Sequence, residues 1–213
     1  MKQGKIIGLT SLIALSGIIL VACGTKTSEQ KNIKFSIPTD VASLDTTILT
    51  DQYSYDVAGN VEEGLTRVDS KGNAALALAK SIDVSKDGLT YTVTLRDNLK
   101  WSNGDIITAN DFRFSWINVL NPSTKAEYVD FLYIIKGAEE YSRHKGKLAD
   151  VGIKAVNNKT LEITLTRPAM YFPLLLAHPV FFPVSERLEH ASNVKIRNNA
   201  TVGELNQHKS YLV

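Results

Sequence analysis

Mixed α and β structure behind an export leader is what this 213-residue sequence predicts. Three observations carry that expectation. Two runs of alternating apolar and polar residues stand next to turn signals, one capped stretch has apolar residues at helical spacing, and one long uncharged run opens the chain. The composition, 44% hydrophobic and 22% charged, is that of a globular protein; it excludes collagen-like, coiled-coil and largely disordered classes. A single cysteine excludes an intrachain disulfide framework.

The N-terminus reads as an address. Met1 to Lys5 carries two lysines and no acid, and Ile6 to Ala22 is uncharged and ends in Leu20-Val21-Ala22-Cys23. A basic start, an apolar core and small residues before the cut describe a secretory signal over residues 1–22. A transmembrane anchor is the competing reading, but Gly8, Thr10, Ser11, Ser16 and Gly17 interrupt a run at the bottom of the spanning range. Residues 23–31 continue as a polar, Thr/Ser/Lys-rich tether. Of 24 basic and 22 acidic residues, Lys2 and Lys5 belong to the leader, so the remainder is formally neutral. That balance argues against nucleic acid as a partner.

Asn32 to Pro38 alternates Ile33, Phe35 and Ile37 with polar residues, a strand that Pro38 ends. Ser54 to Leu65 places Tyr55, Ala58, Val61 and Leu65 at helical spacing. Ser81 to Val84, the turn Ser85-Lys-Asp-Gly88 and the alternating Leu89 to Leu95 predict a hairpin. Leu99 to Trp101 runs into an Asn103-Gly104 turn, and Thr108-Ala-Asn-Asp111 has capping-box spacing ahead of Phe112, Ser115, Trp116 and Val119. Asn121-Pro122 stops that helix, and a second helical stretch is expected from about Lys125 to Tyr141. Val151 to Val156, Asn157-Asn-Lys159 and Leu161 to Leu165 form a second hairpin, with Leu161, Ile163 and Leu165 on one face. Pro168 to Pro183 is apolar and proline-punctuated, so it is not one regular element.

No enzyme signature stands out. The sequence contains no glycine-rich phosphate loop, no HExxH and no GxSxG. His144, His178, His190 and His208 show no metal-ligand spacing. Asp and Glu are scattered, with no spacing that argues for paired-carboxylate catalysis. Trp101, Trp116, Phe112 and Phe114 read as core, and Asp111 as a helix-start residue.

Several blocks resemble a known family. Leu-Val-Ala-Cys23 resembles the lipobox of bacterial lipoproteins, which implies that the Cys23 thiol is lipidated and becomes the new N-terminus. Pro38 to Asp45, Glu63-Gly-Leu65 with Asp69-Ser-Lys-Gly72, and Asp87 to Arg96 are similar to oligopeptide-binding solute-binding proteins of ABC importers. Lys100-Trp-Ser-Asn-Gly-Asp-Ile-Ile-Thr-Ala-Asn-Asp-Phe-Arg-Phe-Ser-Trp116 resembles the family's most specific run almost position for position. Asp150 to Leu165 and Tyr171 to Pro179 continue it in order.

That resemblance implies an α/β fold of the periplasmic-binding-protein type (type II, peptide-binding cluster). Residues 32–62 would be the N-terminal part of the first lobe, and residues 63–185 a small inserted α/β domain. The resemblance runs from about Asn32 to Leu188, so residues 186–213 are expected to be a tail foreign to the family and the chain to be C-terminally truncated. The implied function is capture of oligopeptides and delivery to an ABC permease from the outer face of the cytoplasmic membrane, as in Gram-positive cells. The chain would act as a monomer with a lipid anchor and no cofactor, and would bind poorly for want of half the cleft. Thr50, Asp51 and Gln52 would lie beside the peptide backbone. Tyr128 matches a contacting tyrosine and His178 a histidine on the ligand's C-terminal side. Local readings stand beside these: Tyr128 as an amphipathic helix residue, His178 as a satisfied semi-buried histidine. Other ligands in the same family, nickel or haem, and other classes, a surface lipoprotein for adhesion or peptide sensing or an exported hydrolase, also remain open at this point.

Overall fold

The computed structural model describes residues 36–186, and from Ile37 onward they belong to one compact unit. The leader, the tether with Cys23 and the tail from residue 187 lie outside the described residues. The strand expected at Asn32–Pro38 does so almost entirely, and Ser36 to Pro38 is not strand.

Helix α1 spans Gln52–Val61. It starts at Asp51 because that carboxylate accepts the Ser54 N–H at 2.9 Å and takes up one of the amides that a helix start leaves bare. Ala58 packs with Leu44 and Leu49 in a small satellite core. The helix does not continue to Leu65 as the spacing suggests. Gly64 passes so close to Leu176 that a Cβ there would sit 2.6 Å from its carbonyl oxygen, and the chain turns instead into a short antiparallel pair, β1 (Thr66–Val68) and β2 (Ala74–Leu76).

The two predicted hairpins form and join. Strands β3 (Ala79–Val84) and β4 (Thr90–Leu95) pair antiparallel around the Ser85–Gly88 turn, where Gly88 takes φ +72°. Strands β5 (Ile153–Asn157) and β6 (Thr160–Thr164) pair likewise, and the sheet order is β3-β4-β6-β5. In the central β4–β6 pair Tyr91 faces Ile163 and Val93 faces Leu161, all buried on one side. Period-two alternation on both strands made that face predictable.

Helix α2 (Ala109–Leu120) packs against this sheet. Its start is held by Asp111, whose Oδ2 accepts the Thr108 N–H at 2.7 Å and the Thr108 hydroxyl at 2.9 Å. Phe112, Trp116, Val119 and Leu120 are buried on its inner face. Asn121 ends it, and Pro122–Thr124 makes one 3₁₀ turn.

The continuous helix expected from Lys125 to Tyr141 does not form. Val129–Ile134 is a 3₁₀ stretch, and only Ala138–Ser142 (α3) is α-helical. Tertiary pairing overrides the local spacing: Ile135 bridges Leu165, the Lys136 N–H donates to the Thr164 carbonyl at 2.9 Å, and Gly137 turns with φ +70°. Downstream, α4 (Phe172–Leu175) and a 3₁₀ turn at Pro179–Phe181 fill the proline-punctuated segment.

Candidate functional site

Two of the residues singled out in the sequence meet. The rings of Tyr128 and His178 lie 5.3 Å apart, edge to face at 66°. Tyr55 packs on both, at 6.1 Å from Tyr128 and 5.3 Å from His178, and Phe131 reaches His178 at 4.8 Å. The four rings arrive on three pieces of chain: Tyr55 on α1, Tyr128 and Phe131 at the start of the 3₁₀ stretch, His178 just before the last 3₁₀ turn. Quadrupole attraction favours these tilted arrangements over flat stacking.

Polar contacts fix the histidine. Its Nε2 is 3.0 Å from the Tyr55 hydroxyl, and its Nδ1 accepts the Val180 N–H at 3.2 Å, capping the 3₁₀ turn. Burial lowers the His178 pKa from its usual 6.5, so the ring is neutral at physiological pH. The Tyr55 phenol is pushed well above its ordinary value, first by burial and then by Tyr128.

Further back, the segment holding His178 is pinned to α2. The Trp116 indole N–H donates to the Phe181 carbonyl and the Ser115 hydroxyl to that of Phe182.

The other expected contact residues sit at the head of α1. Thr50 is exposed. The Asp51 carboxylate is used as the helix cap, and hydrogen bonds from Ser54 hold its pKa below the ordinary 3.8. Gln52 is exposed and donates through Nε2 to Asp56 Oδ1 at 2.8 Å. Tyr55 follows them on the same helix but was legible in the sequence only as an apolar helix position; its hydroxyl was the missed signal. Phe131 was missed because it fell inside an expected helix face. Phe131 also lines a cleft of about 270 Å³, together with Asp130, Tyr133, Arg167 and Tyr171. Among the described residues no three His, Cys, Asp or Glu side chains converge to hold a metal ion.

What this arrangement offers is uncharged: hydroxyls, an imidazole and aromatic faces around one point, on a scaffold of separate chain segments.

Comparison with known proteins places the chain. Residues 73–208 match the family of bacterial extracellular solute-binding proteins, family 5 (middle region), and the chain belongs to that family. The matched range runs past Leu188, where the resemblance read from the sequence ends. The chain is 67% identical over 188 residues to a dipeptide-binding protein of Lactococcus lactis, covering 88% of this chain and 34% of that protein. Listeria monocytogenes OppA bound to peptide superposes with a TM-score of 0.72 at 38% identity, over 75% of this chain and 31% of that one. The pheromone receptor PrgZ, described with its mode of peptide binding, gives 0.72 at 37% identity, over 75% and 32%. The chain therefore spans about a third of the length of the relatives it matches, and its fold is that of a part of a periplasmic peptide-binding protein.

Proposed function

We propose that this chain forms one wall of an oligopeptide site in an extracytoplasmic lipoprotein that hands peptides to an ABC permease. The observation that carries the reading is the convergence of Tyr128 and His178, distant in sequence, on one neutral aromatic cluster. A binder tolerant of peptide sequence holds the ligand main chain and leaves side chains in roomy, wet pockets. Uncharged hydroxyl and imidazole groups suit that task. Thr50, Asp51 and Gln52 at the head of α1 extend the same wall, with residues 32–62 belonging to the first lobe and 63–185 to the small inserted domain.

Closure of two lobes on the ligand excludes water and creates the state a permease recognises. One third of a relative's length supplies only part of such a cleft. Cys23 carries the lipid anchor and holds the monomeric protein on the outer face of the cytoplasmic membrane. The likeness to a pheromone receptor favours a second reading, peptide sensing without transport, built on the same wall. Finding a permease gene beside this one would favour transport, and its absence would favour sensing.

The test is a titration of the isotope-labelled mature chain with a tri- to pentapeptide pool, followed by NMR. Resonances of Tyr128 and His178 move as the peptide is added. Absent shifts, or shifts confined to other residues, overturn the site.

A further inference from the structure

We propose that Tyr55 is a positioning residue of this site: its phenol oxygen accepts the Nε2–H of a neutral His178 and so holds that imidazole in one tautomer and one orientation beside Tyr128. The proposal rests on the peptide-site reading of Tyr128 and His178.

The direction of the chain follows from one backbone group. The Val180 N–H points at His178 Nδ1, at 3.2 Å. A donor needs a lone pair opposite it, so Nδ1 carries no hydrogen, and in the neutral ring the hydrogen sits on Nε2. Nε2 is 3.0 Å from Tyr55 Oη, which makes the phenol oxygen the acceptor. The Tyr55 hydroxyl hydrogen then points away from His178, while the Tyr55 ring packs edge to face on both Tyr128 and His178.

Charge is kept out of this chain. The titratable groups against the His178 ring are Tyr55 from α1 and Tyr128 ahead of the 3₁₀ stretch. Of the nearby carboxylates on the same elements, Asp51 caps α1, Asp56 accepts from Gln52, and Asp130 lines the same cleft as Phe131. Protonation of His178 would set an Nδ1–H against the Val180 N–H and break the turn cap. A neutral, fixed imidazole suits a peptide main chain whatever the neighbouring side chain, which is the selectivity that a sequence-tolerant site requires.

The test starts without peptide. In the mature chain, nitrogen NMR of His178 shows a bare Nδ1 and a protonated Nε2, and the Nε2 proton exchanges slowly. Tyr55→Phe keeps the ring and the tautomer but speeds that exchange roughly tenfold, as expected for the loss of one ordinary hydrogen bond. A proton on Nδ1, or unchanged exchange in Tyr55→Phe, overturns the proposal. A second arm uses trialanine titrations. Tyr55→Phe weakens binding several-fold, and His178→Asn, which retains an acceptor for Val180, weakens it as well. If Tyr55 acts through His178, adding Tyr55→Phe to His178→Asn changes nothing further. An equal further loss makes Tyr55 a direct contact and contradicts a positioning role. Failure of trialanine to shift Tyr128 or His178 in the parent sinks the peptide-site reading instead, and the peptide-free arm still decides the hydrogen-bond chain.

Discussion

The indole Nε1–H of Trp116 donates to the Phe181 carbonyl at 2.8 Å, and the two rings meet at right angles with centroids 5.3 Å apart. Next to it, the Ser115 hydroxyl donates to the Phe182 carbonyl at 2.7 Å. All four residues are buried. This pair of bonds ties the irregular segment that carries His178 to a regular helix, so the packing of α2 sets the position of the site.

Ser115→Ala removes the donor and strands the buried Phe182 carbonyl. The expected loss is about 1–3 kcal/mol of stability in urea unfolding. An unchanged midpoint contradicts the anchoring role.

Stability depends on pH through His178. Its folded-state pKa lies below the usual 6.5 because of burial. As pH falls through 6.5 the unfolded chain takes up the proton first, so stability declines from there down to the folded-state value and then levels off. Above 6.5 the residue contributes no slope. Thermal melts of the parent and of His178→Asn across that range check this, and the variant shows the smaller decline.

Asp111 has the opposite sign. Burial raises its pKa above 3.8, against the hydrogen bonds from Thr108. The unfolded carboxyl ionises first as pH rises past 3.8, so this group lowers stability between there and its folded-state value. Asp111→Asn removes that slope, which acid-range melts measure.

Gly137 is irreplaceable for two reasons. Its φ is +70°, and a Cβ would lie 2.4 Å from the Asp150 carbonyl oxygen. Gly137→Ala therefore loses about 1–3 kcal/mol from the backbone alone, and more from the clash. Gly59, in α1 with nothing within 4 Å of its Cβ position, is the control. Gly59→Ala gains roughly 0.5–1 kcal/mol.

Lipid attachment is tested at Cys23. Radiolabelled palmitate enters the parent in cells and is lost in Cys23→Ala. Undiminished label in the variant contradicts the anchor.

Both hairpins and α2 were legible because their cues are local: Asp87-Gly88 and Asn157-Asn158 between alternating runs, and Thr108 with Asp111 at capping spacing. The break at Gly137 was not, because the pairing of Ile135 with Leu165 is a tertiary contact that overrides helical spacing. Strands β1 and β2 are three residues each, too short for alternation to register. Of the site, Tyr128 and His178 came from resemblance. Tyr55 was visible only as an apolar helix position, and nothing in its neighbourhood along the chain announces that its hydroxyl meets an imidazole 123 residues away.

The most direct test of the peptide wall is photo-cross-linking. A tripeptide carrying a benzophenone side chain is irradiated with the mature chain, and adducts are mapped by mass spectrometry with and without excess unlabelled peptide. Adducts within the segments of Tyr55, Tyr128 and His178 that the competitor suppresses are the predicted result. Adducts elsewhere, or adducts that no competitor reduces, contradict it.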